Sequence, residues 1–280
     1  MKSIKKYSFR NLLSFILALF AIGVMFYPII ANLIVSNQVG GVVSTFNHET
    51  SNLSTSKIDQ QLASAKAYNT YIYDMSQHIP YLHPKPDYNK VLDVDPTGMM
   101  GSVTIPQIGV TNIPVYHGDS ESTLSVGIGH IPQTSLPIGG INTHTVLSAH
   151  SGRVNDTLFT NLDKLKIGDV FYINTLNLKL KYKISSIKIV LPQDVSTLSV
   201  HKGKDEATLV TCYPTGINTH RLLVTGERIP YNQTTPSEKI QRNQYGYNFW
   251  VIFGSIILAV LAIIYLIIKV VKWQKTKKED

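Results

Sequence analysis

Cysteine is almost absent from this 280-residue chain, and Cys212 is the single one. One thiol excludes an intrachain disulfide, and a lone thiol makes no standard structural zinc site. Formal charge is absent from Asn11 to His48, and within that stretch Leu12 to Val35 is almost wholly apolar. No Gly-x-Ser-x-Gly elbow is present, which argues against a serine hydrolase of that kind. There is no internal repeat, so the length leaves room for one good-sized domain plus appendages.

The appendages are two apolar segments, residues 11–35 and 249–268. A helix crossing a hydrocarbon core of roughly 30 Å needs about 20 residues, so both are long enough. The first exceeds the ~7–15 apolar residues of a cleavable signal and lacks a clear small-x-small cleavage site, so it reads as a retained anchor. Lys2, Lys5, Lys6 and Arg10 precede it, and Lys269, Lys272, Lys275, Lys277 and Lys278 lie at and beyond the end of the second. Cytoplasmic flanks carry such an excess of Lys and Arg, which predicts a two-pass protein of the cell membrane with both termini cytoplasmic and the middle outside. The tails, residues 1–10 and 269–280, contribute a net +7 of the chain's +8. The external part is therefore nearly neutral, and the basic balance reflects a membrane partner and not a nucleic-acid one.

Between the anchors the pattern changes twice. Residues 36–56 are rich in Ser, Thr and Asn and read as a stalk. Ile58, Leu62, Ala65, Ile72, Met75 and Ile79 then recur near helical spacing, with Ser56 as a cap, and predict an amphipathic helix that Pro80, Pro84 and Pro86 end. From residue 101 to 230 short β-type runs alternate with turn residues, and 155–165 is the best helical stretch among them. That predicts a mostly β fold, a closed or nearly closed barrel with short helices. Residues 231–248 are a polar linker.

Cys212 ends the apolar run Ala207-Thr208-Leu209-Val210-Thr211-Cys212, and Arg221 opens a second one, Arg221-Leu222-Leu223-Val224-Thr225-Gly226. The turn formers between them predict two neighbouring strands with a thiol and a guanidinium at facing ends. A cation beside a lone thiol favours the nucleophilic thiolate, and an arginine there suits a developing oxyanion. A histidine is the usual proton carrier for such chemistry. His150 and His130 both follow strand-like runs, Val146–Ala149 and Leu124–Ile128, and local reasoning does not separate them. His144 and His150 have even spacing, yet no third metal ligand stands at a motif-like distance, so no metal is expected.

Thr208-Leu209-Val210-Thr211-Cys212 resembles the TLxTC signature of sortases, the cell-surface transpeptidases of Gram-positive bacteria. Residues 216–224 are similar to the segment after the cysteine in class C, the pilin-polymerising branch, as are Thr134–Gly140 and Leu158–Leu165. The resemblance covers residues 101–230, and the two anchors suit class C, since single-anchor housekeeping sortases usually lack the second. It implies an eight-stranded sortase barrel with Cys212 as nucleophile, His150 as catalytic histidine, Arg221 as catalytic arginine and no cofactor. The implied substrates are pilin or surface proteins with LPXTG-like sorting signals, with a pilin lysine as acyl acceptor. Alternatives are a housekeeping sortase that anchors proteins to peptidoglycan, or an inactive membrane-anchored barrel serving as receptor or scaffold. Two departures stand out. Ser151 occupies the position after the histidine where class C often has arginine, and the lid candidate Asp95-Pro96 continues with Thr97 where many members have an aromatic residue.

Overall fold

In the computed structural model the short apolar runs become eight strands: β1 (Met99–Ile105), β2 (Val110–His117), β3 (Ile128–His130), β4 (Thr143–Ser148), β5 (Val170–Thr175), β6 (Leu178–Val190), β7 (Asp205–Tyr213) and β8 (His220–Ile229). The structure describes residues 9–94, 96–152, 158–194, 196–231, 254–261, 263–265 and 267–268, with the side chains of 9–15, 25, 28, 29 and 31–39 outside the described set. The strands pair in the order β1-β2-β3-β4-β7-β8-β6-β5, and β1 pairs with β5 to close the barrel. Most neighbours are antiparallel, while β2–β3 and β4–β7 are parallel. The alternation that marks a half-solvated strand is lost in β4 and β7, where nearly every residue is buried, as expected of strands covered on both faces.

The barrel is filled by apolar side chains from all its strands, including Val103, Ile128, Leu147, Ile173, Leu209 and Val224. Phe171 and Tyr182 stack at 5.4 Å against β8. Gly226 is what admits them, because a Cβ there would stand 2.7 Å from the Phe171 ring.

Two long helices precede the barrel, α1 (Phe9–Asn52) and α2 (Thr55–Ser76). The predicted stalk is helical: α1 continues to Asn52, with Thr45 and Thr50 hydroxyls bonded to the carbonyls of Gly41 and Phe46. Those bonds let polar residues remain within a helix. Val43 and Phe46 bury themselves against Met99 of β1. The predicted amphipathic helix is α2, with a different cap and face. Ser54 caps it by accepting from the Lys57 amide, Ser56 lies within its first turn, and Met75 and Ile79 are exposed. The buried face is Ala65, Tyr68, Asn69 and Ile72, which keeps the i, i+3, i+4, i+7 spacing. Two further expectations are corrected. Residues 121–124 form a short helix, α3, ahead of β3, where Leu124–Ile128 reads as strand. The helical stretch 155–165 is a single 3₁₀ turn, Leu162–Lys164, among turns, with 155–157 outside the described residues.

Among the described residues no helix is long and apolar enough to cross a membrane. Residues 254–261 of the second predicted crossing are helical, and 249–253, 262 and 266 lie outside the described set, as do residues 232–248 of the linker and residues 1–8 and 269–280 of the tails. The lid candidate is divided in the same way: Asp95 is outside the described residues, and Pro96 stands exposed in a turn that leads through Gly98, at φ +70°, into β1.

Polar side chains join α2 and the segment after it to the barrel. Asn69 donates to the Leu136 carbonyl at 3.2 Å and accepts from the Leu136 amide at 2.7 Å, and Gln61 accepts from the Leu92 amide at 2.8 Å. Tyr88 reaches His130 on β3, 2.9 Å from Nδ1, and its oxygen accepts from the Gly118 amide. His130 Nε2 stands 2.8 Å from the Ser135 carbonyl, which only accepts, so the proton sits on Nε2 and Nδ1 accepts from Tyr88. Full burial pulls the His130 pKa from its ordinary 6.5 down to about 4. Burial lowers His117 and His144 as well.

Two outcomes are expected. Asn69→Ala leaves the buried Leu136 amide without a partner, and thermal or denaturant unfolding of the full chain should show a loss of about 1–3 kcal/mol; wild-type stability would contradict this docking role. The second concerns pH. Unfolded His130 takes up a proton below about 6.5 while the folded ring resists it until about 4. Its contribution is complete above pH 6.5 and is lost as pH falls toward 4, by about 3 kcal/mol at most. Melting temperature should therefore decline over that window, and a flat profile would refute the assignment.

Candidate active site

β7 and β8 form a hairpin whose turn end carries the two predicted residues. Cys212 and Arg221 are direct cross-strand partners, followed by Tyr213 and His220. The intervening turn is held by the Pro214 carbonyl, which accepts from the amides of Ile217 and Asn218 at 3.0 and 2.9 Å. Gly216 and Asn218 supply its two left-handed positions. Cys212 is half-buried and free. Arg221 Nη1 donates to the carbonyls of His220 and Asn218, at 3.0 and 3.3 Å, so the guanidinium is anchored on its own turn through one nitrogen. A guanidinium has five N–H donors in a fixed fork, and this anchoring orients the rest.

β4 lies parallel to β7 in continuous register from Thr143↔Asp205 to Ser148↔Val210. Carried two residues further, that register sets His150 level with Cys212. The strands stay fastened beyond the ladder. The Ala149 amide donates to the Val210 carbonyl at 3.1 Å, the Thr211 hydroxyl donates to the Ala149 carbonyl at 2.8 Å, and the Ser151 hydroxyl donates to the Cys212 carbonyl at 2.8 Å. Ser151, a departure from the class C pattern, thus ties the residue after His150 to the cysteine itself. The Phe159 amide donates to the His150 carbonyl at 3.2 Å, and Phe159 is fully buried, which fixes the far side of the loop.

The His150 ring is three-quarters buried, and its Nε2 has no hydrogen-bond partner among the described residues. The Glu121 carboxylate stands beside it, with Oε1 at 3.4 Å. Glu121 opens α3, which Ser120 caps by accepting from the Thr123 amide. Its side chain is 77 % exposed, so solvent screens the pairing. Sequence reasoning missed Glu121, because it stands 29 positions before His150 and carries no motif. The rival histidine, His130, is buried with both ring nitrogens hydrogen-bonded, and it holds β3 to Tyr88 and Ser135. A ring so enclosed is occupied with structure.

Among the described residues one other cluster brings ligand-type side chains together: His144, His201 and Glu206, whose ligating atoms lie within 4.8 Å of one another. His144 and Glu206 are register partners near the other end of β4 and β7. Six residues separate Glu206 from Cys212, roughly 20 Å at a strand rise of ~3.3 Å per residue. The two sites are therefore distinct.

A half-buried thiol, an oriented guanidinium across from it and an adjacent imidazole with an uncommitted nitrogen have the composition of an acyl-transfer site. The comparisons with known proteins agree with the fold that carries it. The family model described as the sortase domain matches residues 103–229. The pilus-related sortase C of group B Streptococcus is 41 % identical, with a TM-score of 0.60, over 67 % of this chain and 97 % of that one. Sortase C of Clostridium perfringens, solved with the C-terminal cell wall sorting motif, is 39 % identical with a TM-score of 0.60, over 68 % of this chain and 99 % of that one. Among curated proteins, sortase A of Bacillus anthracis is 26 % identical over 52 % of this chain and 68 % of its own length. Since the match runs from β1 to the end of β8 and the class C structures are covered almost end to end, this chain belongs to the sortase family of cysteine transpeptidases.

Proposed function

We propose that this sortase cleaves an LPXTG-like sorting signal between Thr and Gly and joins the acyl group to a pilin lysine, polymerising pili. The observation that carries the reading is the register pairing of Cys212 with Arg221, with the His150 loop fastened to the same strand end. Similarity to sortase C structures at about 40 % identity, the group B Streptococcus one being pilus-related, supports the branch.

In the first half-reaction the Cys212 thiolate attacks the carbonyl carbon of the signal threonine. The carbonyl oxygen takes up negative charge, and Arg221 stabilises it as a positioned cationic donor. Protonated His150 gives its proton to the glycine nitrogen as the C–N bond breaks, leaving a thioester on Cys212 and a free amine. In the second half-reaction a neutral lysine amine attacks the thioester. His150, now neutral, accepts the proton, the C–S bond breaks, and the thiolate is restored beside an isopeptide bond. Proton and charge return to their starting positions, so the cycle needs neither cofactor nor metal.

The membrane arrangement belongs to the same proposal. The apolar runs 11–35 and 249–268 with their basic flanks would hold the barrel outside the membrane with both termini in the cytoplasm. Leu17 and Phe20 of α1 are 58 % and 71 % exposed, as lipid-facing side chains would be. Confinement of enzyme and membrane-tethered substrates to one layer raises their effective concentrations. Asp95 and Pro96, ahead of β1, are the segment proposed to cover the site.

The test is a pilus-assembly assay. Wild type, Cys212→Ala and Arg221→Ala are each expressed with the neighbouring surface-protein genes, and wall fractions are run on a denaturing gel. The expected result is a high-molecular-weight ladder with wild type, none with Cys212→Ala, and with Arg221→Ala a rate about 10²–10³-fold lower, the usual cost of one oxyanion donor. Attachment of single subunits to the wall that needs Cys212, without a ladder, would replace this reading with the housekeeping one. A ladder that survives Cys212→Ala would refute the nucleophile.

A further inference from the structure

The cluster of His144, His201 and Glu206 lies outside the acyl-transfer chemistry, and no step proposed above uses it. Sequence spacing hides it. His144 is on β4, Glu206 is on β7, and only the parallel β4–β7 register sets the two side by side. His201 comes from the connection between β6 and β7, residues 191–204, and completes the group.

We propose that these three residues bind a divalent transition-metal ion of the zinc class. Two imidazoles and one carboxylate are a donor set suited to zinc and its first-row neighbours, and poorly suited to calcium or magnesium, which take oxygen ligands. The ligating atoms already converge within 4.8 Å, and a tetrahedral zinc shell needs them at roughly 3.3 Å from one another, given Zn–N and Zn–O bonds of about 2.0–2.1 Å. His201, with 54 % of its side chain exposed, is free to make that adjustment. The two other ligands are set in strands and nearly fully buried, at 1 % and 4 % exposure for His144 and Glu206.

The surroundings suit an ion. His144 is hydrogen-bonded at both nitrogens, Nδ1 to the Ser199 carbonyl at 2.9 Å and Nε2 to the Thr208 hydroxyl at 2.7 Å. An ion replaces one of these partners, and the other then orients the ring, as the outer-shell partner of a metal-bound histidine does. The Thr208 hydroxyl has Thr225 Oγ1 at 2.7 Å as an alternative partner, so giving up His144 does not strand it. Glu206 now shares His201 Nδ1 at 2.6 Å and Lys204 Nζ at 3.5 Å. Lys204 stands closer to Glu227, at 2.6 Å, and keeps that partner when an ion takes its place at Glu206.

Three protein ligands leave a fourth position for water on the exposed side, at His201. Bound metal would pin the β6–β7 connection onto β4 and β7, the two strands whose far ends carry His150 and Cys212.

The test uses the full chain in detergent, stripped with a chelator, with zinc chloride as the probe. Binding is measured by isothermal titration, and melting temperature with and without zinc. The expected result is one ion per chain, a zinc-dependent rise in melting temperature reversed by chelator, and no comparable response to calcium chloride. His201→Ala should weaken binding by more than the ~10–100-fold that loss of an outer-shell partner costs, and its exposed site keeps the variant folded. Cys212→Ala separates this site from the free thiol, and zinc binding should survive in it unchanged. Zinc affinity that is unaltered by His201→Ala, that disappears with Cys212→Ala, or that is absent in wild type overturns the proposal.

Discussion

The parallel pairing of β4 with β7 is the constraint on which the rest of the molecule depends. Parallel strands cannot be joined by a tight turn, so these two are brought together by the barrel as a whole and not by local sequence. Their register puts His144 opposite Glu206 at one end. At the other end, reciprocal bonds from Thr211 to the Ala149 carbonyl and from Ser151 to the Cys212 carbonyl continue the alignment where the ladder stops. Each of those side chains satisfies a main-chain acceptor that the end of the ladder would otherwise leave unpaired. The loop that carries His150 is thereby fastened to the strand end that carries Cys212.

Polar residues inside the molecule serve the same end. Asn69, His130 and Tyr88 are costly to bury, and each is matched with partners that leave little unsatisfied. They join α2 and the segment ahead of β1 to the barrel by directional bonds, which specify orientation in a way apolar contact does not. His130 is therefore a neutral hydrogen-bonding strut, while the His150 ring is partly exposed and its Nε2 has no hydrogen-bond partner among the described residues.

The features legible in the sequence are those encoded locally. The Cys212–Arg221 pairing follows from two apolar runs and a turn between them. The barrel follows from short runs separated by turn residues, among them those that become β4, β7 and β8. β3 was not legible, since only three residues pair and the apolar run just before it is broken by α3. The choice between His150 and His130 was open because both follow β-type runs, and burial, which separates them, is a property of the packed barrel. Ser54 in place of Ser56 as the α2 cap is a shift of half a turn, the ordinary uncertainty of a helix end. Glu121 beside His150 and His144 beside Glu206 lay beyond sequence reading for one reason: each pair is far apart in the chain and meets only through the folded barrel.

Closure of the barrel has a consequence for how any extended peptide is received. Each of the eight strands has a neighbour on both sides, and β1 and β5 complete the circle. The circle is nonetheless uneven: among the described residues, 185–190 of β6 pair only with β8 and 110–114 of β2 pair only with β1, so strand addition is confined to these short stretches. Elsewhere on the barrel, recognition falls to side chains and loops at the rim, where affinity depends on the shape and charge of individual residues. A surface of that kind discriminates among guest sequences, which main-chain pairing alone does not.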